Sequence, residues 1–177
     1  MSGMKNFLLI AAATGAALAA IAPAMSQTSA LKGHNSDAPV TVAADRIEVQ
    51  DRTDRAIFSG NVVATQEDLT LNAARITVAY TNAKGVQIQR IDASGGVTVK
   101  SPSETARGQF AVYDLNQRII TMIGGVTLIR GDSRVSGARL VLDLDSGRAV
   151  LDGGGPPGTT NSGGRVTGTF TVPQRGS

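Results

Sequence analysis

The stretch Phe58-Ser59-Gly60-Asn61-Val62-Val63-Ala64-Thr65-Gln66 decides the fold, because its centre returns three times along the chain. It recurs as Gly95-Gly96-Val97 and Gly124-Gly125-Val126, then fades into Gly153-Gly154-Gly155. Gly60 to Gly95 is 35 residues, and the next two intervals are 29 each. A period near thirty means that each unit is a small supersecondary element whose apolar face is buried only when neighbours stack on it. A second, offset series supports this. Asp45-Arg46-Ile47, Ala74-Arg75-Ile76, Gly108-Gln109-Phe110 and Ala138-Arg139-Leu140 each open a run of alternating apolar and polar residues. About four short strands per unit fit that spacing better than two.

Gly and Asn tolerate positive φ, so Gly60-Asn61 and its repeats read as hairpin turns. Beyond the arginines come Ile76-Thr77-Val78-Ala79-Tyr80, Phe110-Ala111-Val112-Tyr113 and Leu140-Val141-Leu142-Asp143-Leu144, rich in β-branched or large apolar residues with a period near two. After residue 30 no stretch combines three-and-four apolar spacing with a cap and strong helix formers. The expectation is an all-β chain. Strands of five or six residues make each rung only about 18 Å wide. Two sheets laid along one axis as a sandwich accommodate such rungs.

Residues 1–24 read as a cleavable signal peptide: Lys5, an apolar run from Phe7 to Ile21, and the small-x-small site Ala22-Pro23-Ala24. The run is shorter than the roughly twenty residues a membrane span needs. Residues 25–38 read as a flexible lead-in, 39–152 as the β domain, 153–164 as a Gly/Pro-rich linker and 165–177 as a terminal strand and tail. The mature chain is expected to be exported and soluble. The sequence holds no cysteine, which removes disulfides, thiolate metal sites and lipidation at cysteine. Seventeen basic residues against fourteen acidic ones leave a mild positive charge.

Little in the sequence supports catalysis. The single histidine, His34, falls in the lead-in, where it is expected to be solvated and cannot build a triad or a zinc cluster. No lysine follows a glycine, so there is no phosphate-cradling Gly-Lys-Ser/Thr loop. Asp143-Leu144-Asp145-Ser146-Gly147 lacks the later oxygens of a calcium loop and reads as a turn. Asp51, Asp54, Glu67 and Asp68 cluster at expected turns. Nucleic-acid binding is poorly supported without interleaved surface aromatics. The reading is a protein that is not an enzyme and uses no cofactor or metal.

What remains is the apolar face. It alternates as Val40/Val42, Ile47/Val49, Val62/Ala64, Val97/Val99, Tyr113/Leu115 and Val126/Leu128, mostly modest aliphatics. Periodicity leaves two outcomes open: a self-filled sandwich core, or sheets that splay to leave an apolar groove.

The order of these pieces resembles the OstA-like family. The resemblance runs from Pro39-Val40-Thr41-Val42-Ala43-Ala44-Asp45-Arg46 through Phe58 to Gln66, Leu71-Asn72-Ala73-Ala74-Arg75-Ile76, Ala111-Val112-Tyr113-Asp114-Leu115 and Gly124-Gly125-Val126 to Gly164-Arg165-Val166-Thr167. It implies an open V-shaped β-jellyroll of two antiparallel sheets. It also implies a periplasmic protein that bridges the two membranes by shielding lipopolysaccharide acyl chains, with protomers stacked head to tail. The implied partners are lipopolysaccharide, an inner-membrane LptC-like protein and an outer-membrane LptD-like translocon. Carried over by position, Val40, Val42, Phe58, Val62, Ala64, Val99, Tyr113 and Leu115 line the trough, and the alternation adds Val49, Val97, Val126 and Leu128. The first strand and the terminal strand near Val166 are the expected stacking edges, and Arg75 and Arg139 are candidates to touch sugar phosphates at the mouth. The alternatives are an anchored partner of the same fold, a β-helix enzyme acting on polysaccharide, and a stacking module without ligand.

Overall fold

The computed structural model describes residues 34–83, 85–154 and 164–171. The expected signal segment, most of the lead-in, the middle of the linker and the tail beyond Thr171 lie outside the described residues. Ten strands follow one another: β1 (Thr41–Ala43), β2 (Arg46–Gln50), β3 (Arg55–Gln66), β4 (Leu69–Thr81), β5 (Gln87–Lys100), β6 (Glu104–Asp114), β7 (Ile119–Arg130), β8 (Ser133–Asp143), β9 (Arg148–Asp152) and β10 (Thr167–Thr169). Every pairing between them is antiparallel, in the order β1-β3-β4-β5-β6-β7-β8-β10, with β2 on β3 and β9 on β8. Among the described residues the two ends of this path do not meet, so the sheet is open rather than a closed barrel.

Strands β3 to β8 are eleven to fourteen residues long, about twice the expected length. Each is broken at its centre. The register shifts at Ser59/Val62, Asn72/Arg75, Ser94/Val97, Arg107/Phe110 and Ile123/Val126, which draws a line of bulges straight across the sheet. Bulges bend and twist a strand, and here they crease one hydrogen-bonded sheet into two leaves. The first leaf holds β2, the first halves of β3, β5 and β7, the second halves of β4, β6 and β8, and β9. The second holds β1, the complementary halves, and β10. Two long strands per repeat thus supply the four short segments expected from the spacing.

The glycine motifs are therefore not the hairpin turns that their residue types suggest. They are the crease. Gly60, Gly95 and Gly124 take φ of 80°, 84° and 88°, and a Cβ there would approach Asp45, Ala74 and Gln109 within 2.4, 2.6 and 2.7 Å. The next residue, Asn61, Gly96 or Gly125, also has positive φ, but a Cβ at either glycine meets nothing within 4 Å. That is why asparagine can stand at the second position and only glycine at the first. The real turns lie elsewhere, for example at Glu67-Asp68 and Gly131-Asp132, where Glu67 and Gly131 supply the positive φ.

Alternation along both halves buries one face of each leaf against the other. A single core cluster joins Val62, Ala64, Leu71, Val97, Val99, Val126 and Leu128 from the second leaf with Ile76, Val78, Ile91, Ala111, Tyr113, Ile120, Met122, Leu140 and Leu142 from the first. Tyr113 is the one aromatic in it. Leaves lined by small aliphatics can approach closely, and that is how so few rings fill the interior.

Candidate functional site

The candidate site is the space between the leaves and the openings that lead to it. Opposite the crease lie two rows of turns, which form the open edge of the wedge. Of the residues expected to line a trough, all but Val49 are buried or half-buried between the leaves. Val62, Ala64, Val97, Val99, Tyr113, Val126 and Leu128 are buried in the core, while Val40, Val42, Phe58 and Leu115 are half-buried and packed against it.

Val49 behaves differently. It is 57% exposed and its neighbour in phase, Ile47, is 56% exposed, although both belong to the apolar pattern. They sit at the end of the wedge formed by β1 and β2, where a groove of about 590 Å³ runs between Val40, Val42, Ile47, Val49, Phe58 and Ile88. Val78, Tyr80 and Val86 also line it. Alternation around Val78 and Ile88 was the available signal for these, and it is the same signal that marks the closed core. The lining is mostly aliphatic and aromatic, with Asp51 and Asn82 among it.

Between this groove and the middle of the wedge the leaves touch. The Tyr113 hydroxyl of the first leaf donates to Gln66 Oε1 of the second at 3.1 Å. Burial pushes the Tyr113 phenol above its ordinary pKa of 10.0, an effect partly offset by Ser36 and Arg118. Gln66 is buried, and its Nε2 donates to the carbonyls of Ser36 and Ala38 at 2.9 and 2.8 Å. Beneath these groups a void of about 20 Å³ lies among Val40, Ala64, Leu69, Leu71, Ile91 and Tyr113. That is room for about one water-sized sphere. Further along, Glu104 is buried and pairs with the Arg130 guanidinium across β6 and β7.

Two expectations are corrected here. The His34 side chain is not solvated: it is 1% exposed, with Nδ1 3.2 Å from Asp68 and Nε2 3.1 Å from Gln66 Oε1. Residues 34–38 fold back on the β3–β4 turn, thirty-odd positions away, and local sequence gives no sign of it. Arg75 and Arg139 are exposed, but they follow the outward phase beside buried Ile76 and Leu140. They flank the crease on the outer face, away from the mouth, so a ligand between the leaves would not reach them. The turn at Asp143 is as expected. Its carboxylate accepts from the amides of Asp145 and Ser146, both at 3.0 Å, and the hydrogen bonds from Ser146 hold its pKa below the ordinary value.

Among the described residues no group of three or more His, Cys, Asp or Glu is placed to hold a metal ion. No helix among them is long and apolar enough to cross a membrane.

Comparison with known proteins gives three findings. The family described as LptA/(LptD N-terminal domain) LPS transport protein matches residues 41–148. An uncharacterized protein of Rhizobium meliloti (strain 1021) is 32% identical over 154 residues, which cover 81% of this chain and 83% of that one. The crystal structure of LptH, the LptA-homologous periplasmic component of the lipopolysaccharide transport device of Pseudomonas aeruginosa, superposes with a TM-score of 0.68 at 18% identity. That superposition covers 78% of this chain and 99% of LptH, and it shows that the two share a fold. With a family match over most of the β domain, the chain belongs to the LptA/(LptD N-terminal domain) family of LPS transport proteins.

Proposed function

We propose that this protein is a periplasmic carrier that shields lipopolysaccharide acyl chains between its two leaves and bridges the inner and outer membranes by stacking head to tail. The observation that carries this reading is the end of the wedge at β1 and β2, where the apolar lining of the interior runs out into a groove with Ile47 and Val49 exposed. Burying one CH₂ is worth about 0.8 kcal/mol, so a chain of a dozen carbons costs roughly 10 kcal/mol to expose to water. A multi-chain lipid needs such cover to cross an aqueous gap. No catalytic group is required, and direction comes from whatever pushes lipid in upstream.

Stacking follows from the edges. β1 and β2 end the leaves on one side, β9 and β10 on the other, and each end presents a ladder that a second chain can extend. Copies joined this way would align their interiors. An LptC-like protein at one end and an LptD-like translocon at the other would extend the same path to the membranes.

The test is photo-crosslinking in cells, with a photoreactive residue at Val49 and a control at Glu48, the neighbour of opposite phase. A lipopolysaccharide adduct at Val49 and none at Glu48 is expected. Adducts at neither position, in folded and exported protein, would leave a stacking module without a lipid path.

A further inference from the structure

Residues 34–38 lie across the open edge of the wedge and are fastened to both leaves. On the second leaf, Gln66 donates to two carbonyls of the segment, His34 contacts Gln66 and Asp68, and Asn35 Nδ2 donates to Glu67 at 3.2 Å. On the first leaf, Asp37 receives both its hydrogen bonds from Arg118, each 3.2 Å long, and Arg118 also holds Asp145 at 3.1 Å. The segment then runs through Pro39 and Val40 directly into β1.

Val40 marks the place where the apolar path stops. It lines both the groove of about 590 Å³ and the void of about 20 Å³ beneath the segment. On one side of it an acyl chain has room. Inward of it, toward Leu71 and Ile91, there is space for little more than a water molecule.

We propose that residues 34–38 are a latch: they hold the leaves together beside Tyr113, and they must swing off Arg118 before an acyl chain can pass from the groove into the interior. This rests on the carrier reading above, and it adds the gate that the reading lacks. The two fastenings differ in a way that suits a latch. The contacts to Gln66 are part-buried and numerous, whereas the first leaf holds the segment by Ser36 against the Tyr113 hydroxyl and by one ion pair to Arg118 whose Asp37 side chain is 81% exposed. Exposed pairs of this kind contribute about 0.2–1 kcal/mol. The exposed tie to Arg118 therefore breaks first, and the segment stays hinged on Gln66.

The absence of native cysteine allows a direct test. Leu69→Cys places a thiol under the latch, and its alkylation by a maleimide reports opening with no ligand present. In that background Asp37→Asn, which keeps the shape and removes the charge, should speed alkylation about two- to five-fold. Asp37→Ala should do the same. A Cys pair at Ser133 and Val135, remote from the latch, gives the reference rate that must not change. Association of the fatty acid cis-parinaric acid should accelerate by the same factor. Unchanged alkylation at Leu69→Cys in both Asp37 variants overturns the latch, whatever the fatty acid does. Faster alkylation with unchanged fatty-acid association overturns its role as a gate. If wild-type protein takes up no fatty acid while alkylation still accelerates, the latch stands and the carrier reading falls.

Discussion

Ile47 and Val49 in β2 obey the same alternation as Val97 and Val99 in β5, yet the first pair is more than half exposed and the second nearly sealed. The difference lies in what faces them. Val97 and Val99 sit in the middle of a leaf, with a complete opposing leaf to close on. Ile47 and Val49 belong to a five-residue edge strand, and the second leaf ends nearby in the three residues of β1. One pattern thus builds a dry wall in the middle and a wet groove at the end. An apolar stripe states what a strand would bury; the length and number of strands opposite decide whether it does.

This comparison is broken most severely by removing volume from the closed region. Ile120 is fully buried, and Ile120→Ala should lower the unfolding free energy by about 2–5 kcal/mol in chemical denaturation. Val49→Ser, at the open end, should change it by no more than about 0.5 kcal/mol, as surface changes do. If Val49→Ser proved as costly as Ile120→Ala, the open end would be closed in solution, and the groove would not exist as described.

A smaller effect separates the two glycines of the crease. Gly124→Ala combines a positive φ with a Cβ within 2.7 Å of the Gln109 Cβ. The left-handed conformation alone costs about 1–2 kcal/mol, and the contact adds to it. Gly125→Asn meets no neighbour and copies the choice already present at Asn61, so its cost should stay below about 1 kcal/mol. Equal losses of stability from the two variants would mean that the crease is not what the first glycine serves.

These elements also show how far the sequence could be read. The repeat and the inward faces of Val97 and Val126 were legible, because alternation and burial share one cause, whereas the adjoining pair Val62-Val63 left its phase open until the structure buried Val62. The crease was not. Positive φ at Gly-Asn or Gly-Gly satisfies a hairpin and a bulge equally, and only the pairing of Val62 with Ala73 across the shift distinguishes them. The division into a sealed middle and an open end was equally hidden, since alternation does not record how much chain lies opposite. The fastening of His34 depends on partners more than thirty residues away. A signal for its site did exist: Gln66 continues the inward phase of Val62 and Ala64, and a polar residue in that phase marks a buried partner to be found.

Tyr113 sits where the closed region meets the latch, and its titration gives the finest test of that boundary. Its folded pKa is raised chiefly by burial, so the unfolded chain releases the phenolic proton first, near pH 10.0. Above that pH the folded state holds more protons than the unfolded one, and stability falls as pH rises. Below it the phenol contributes its full share, including the hydrogen bond to Gln66, worth about 1 kcal/mol. Tyr113→Phe removes both terms. The variant should be less stable than the wild type at neutral pH, and the gap should narrow as pH rises past the ordinary tyrosine range. A gap that stays constant through that range would place the Tyr113 hydroxyl in water and the two leaves apart at this point.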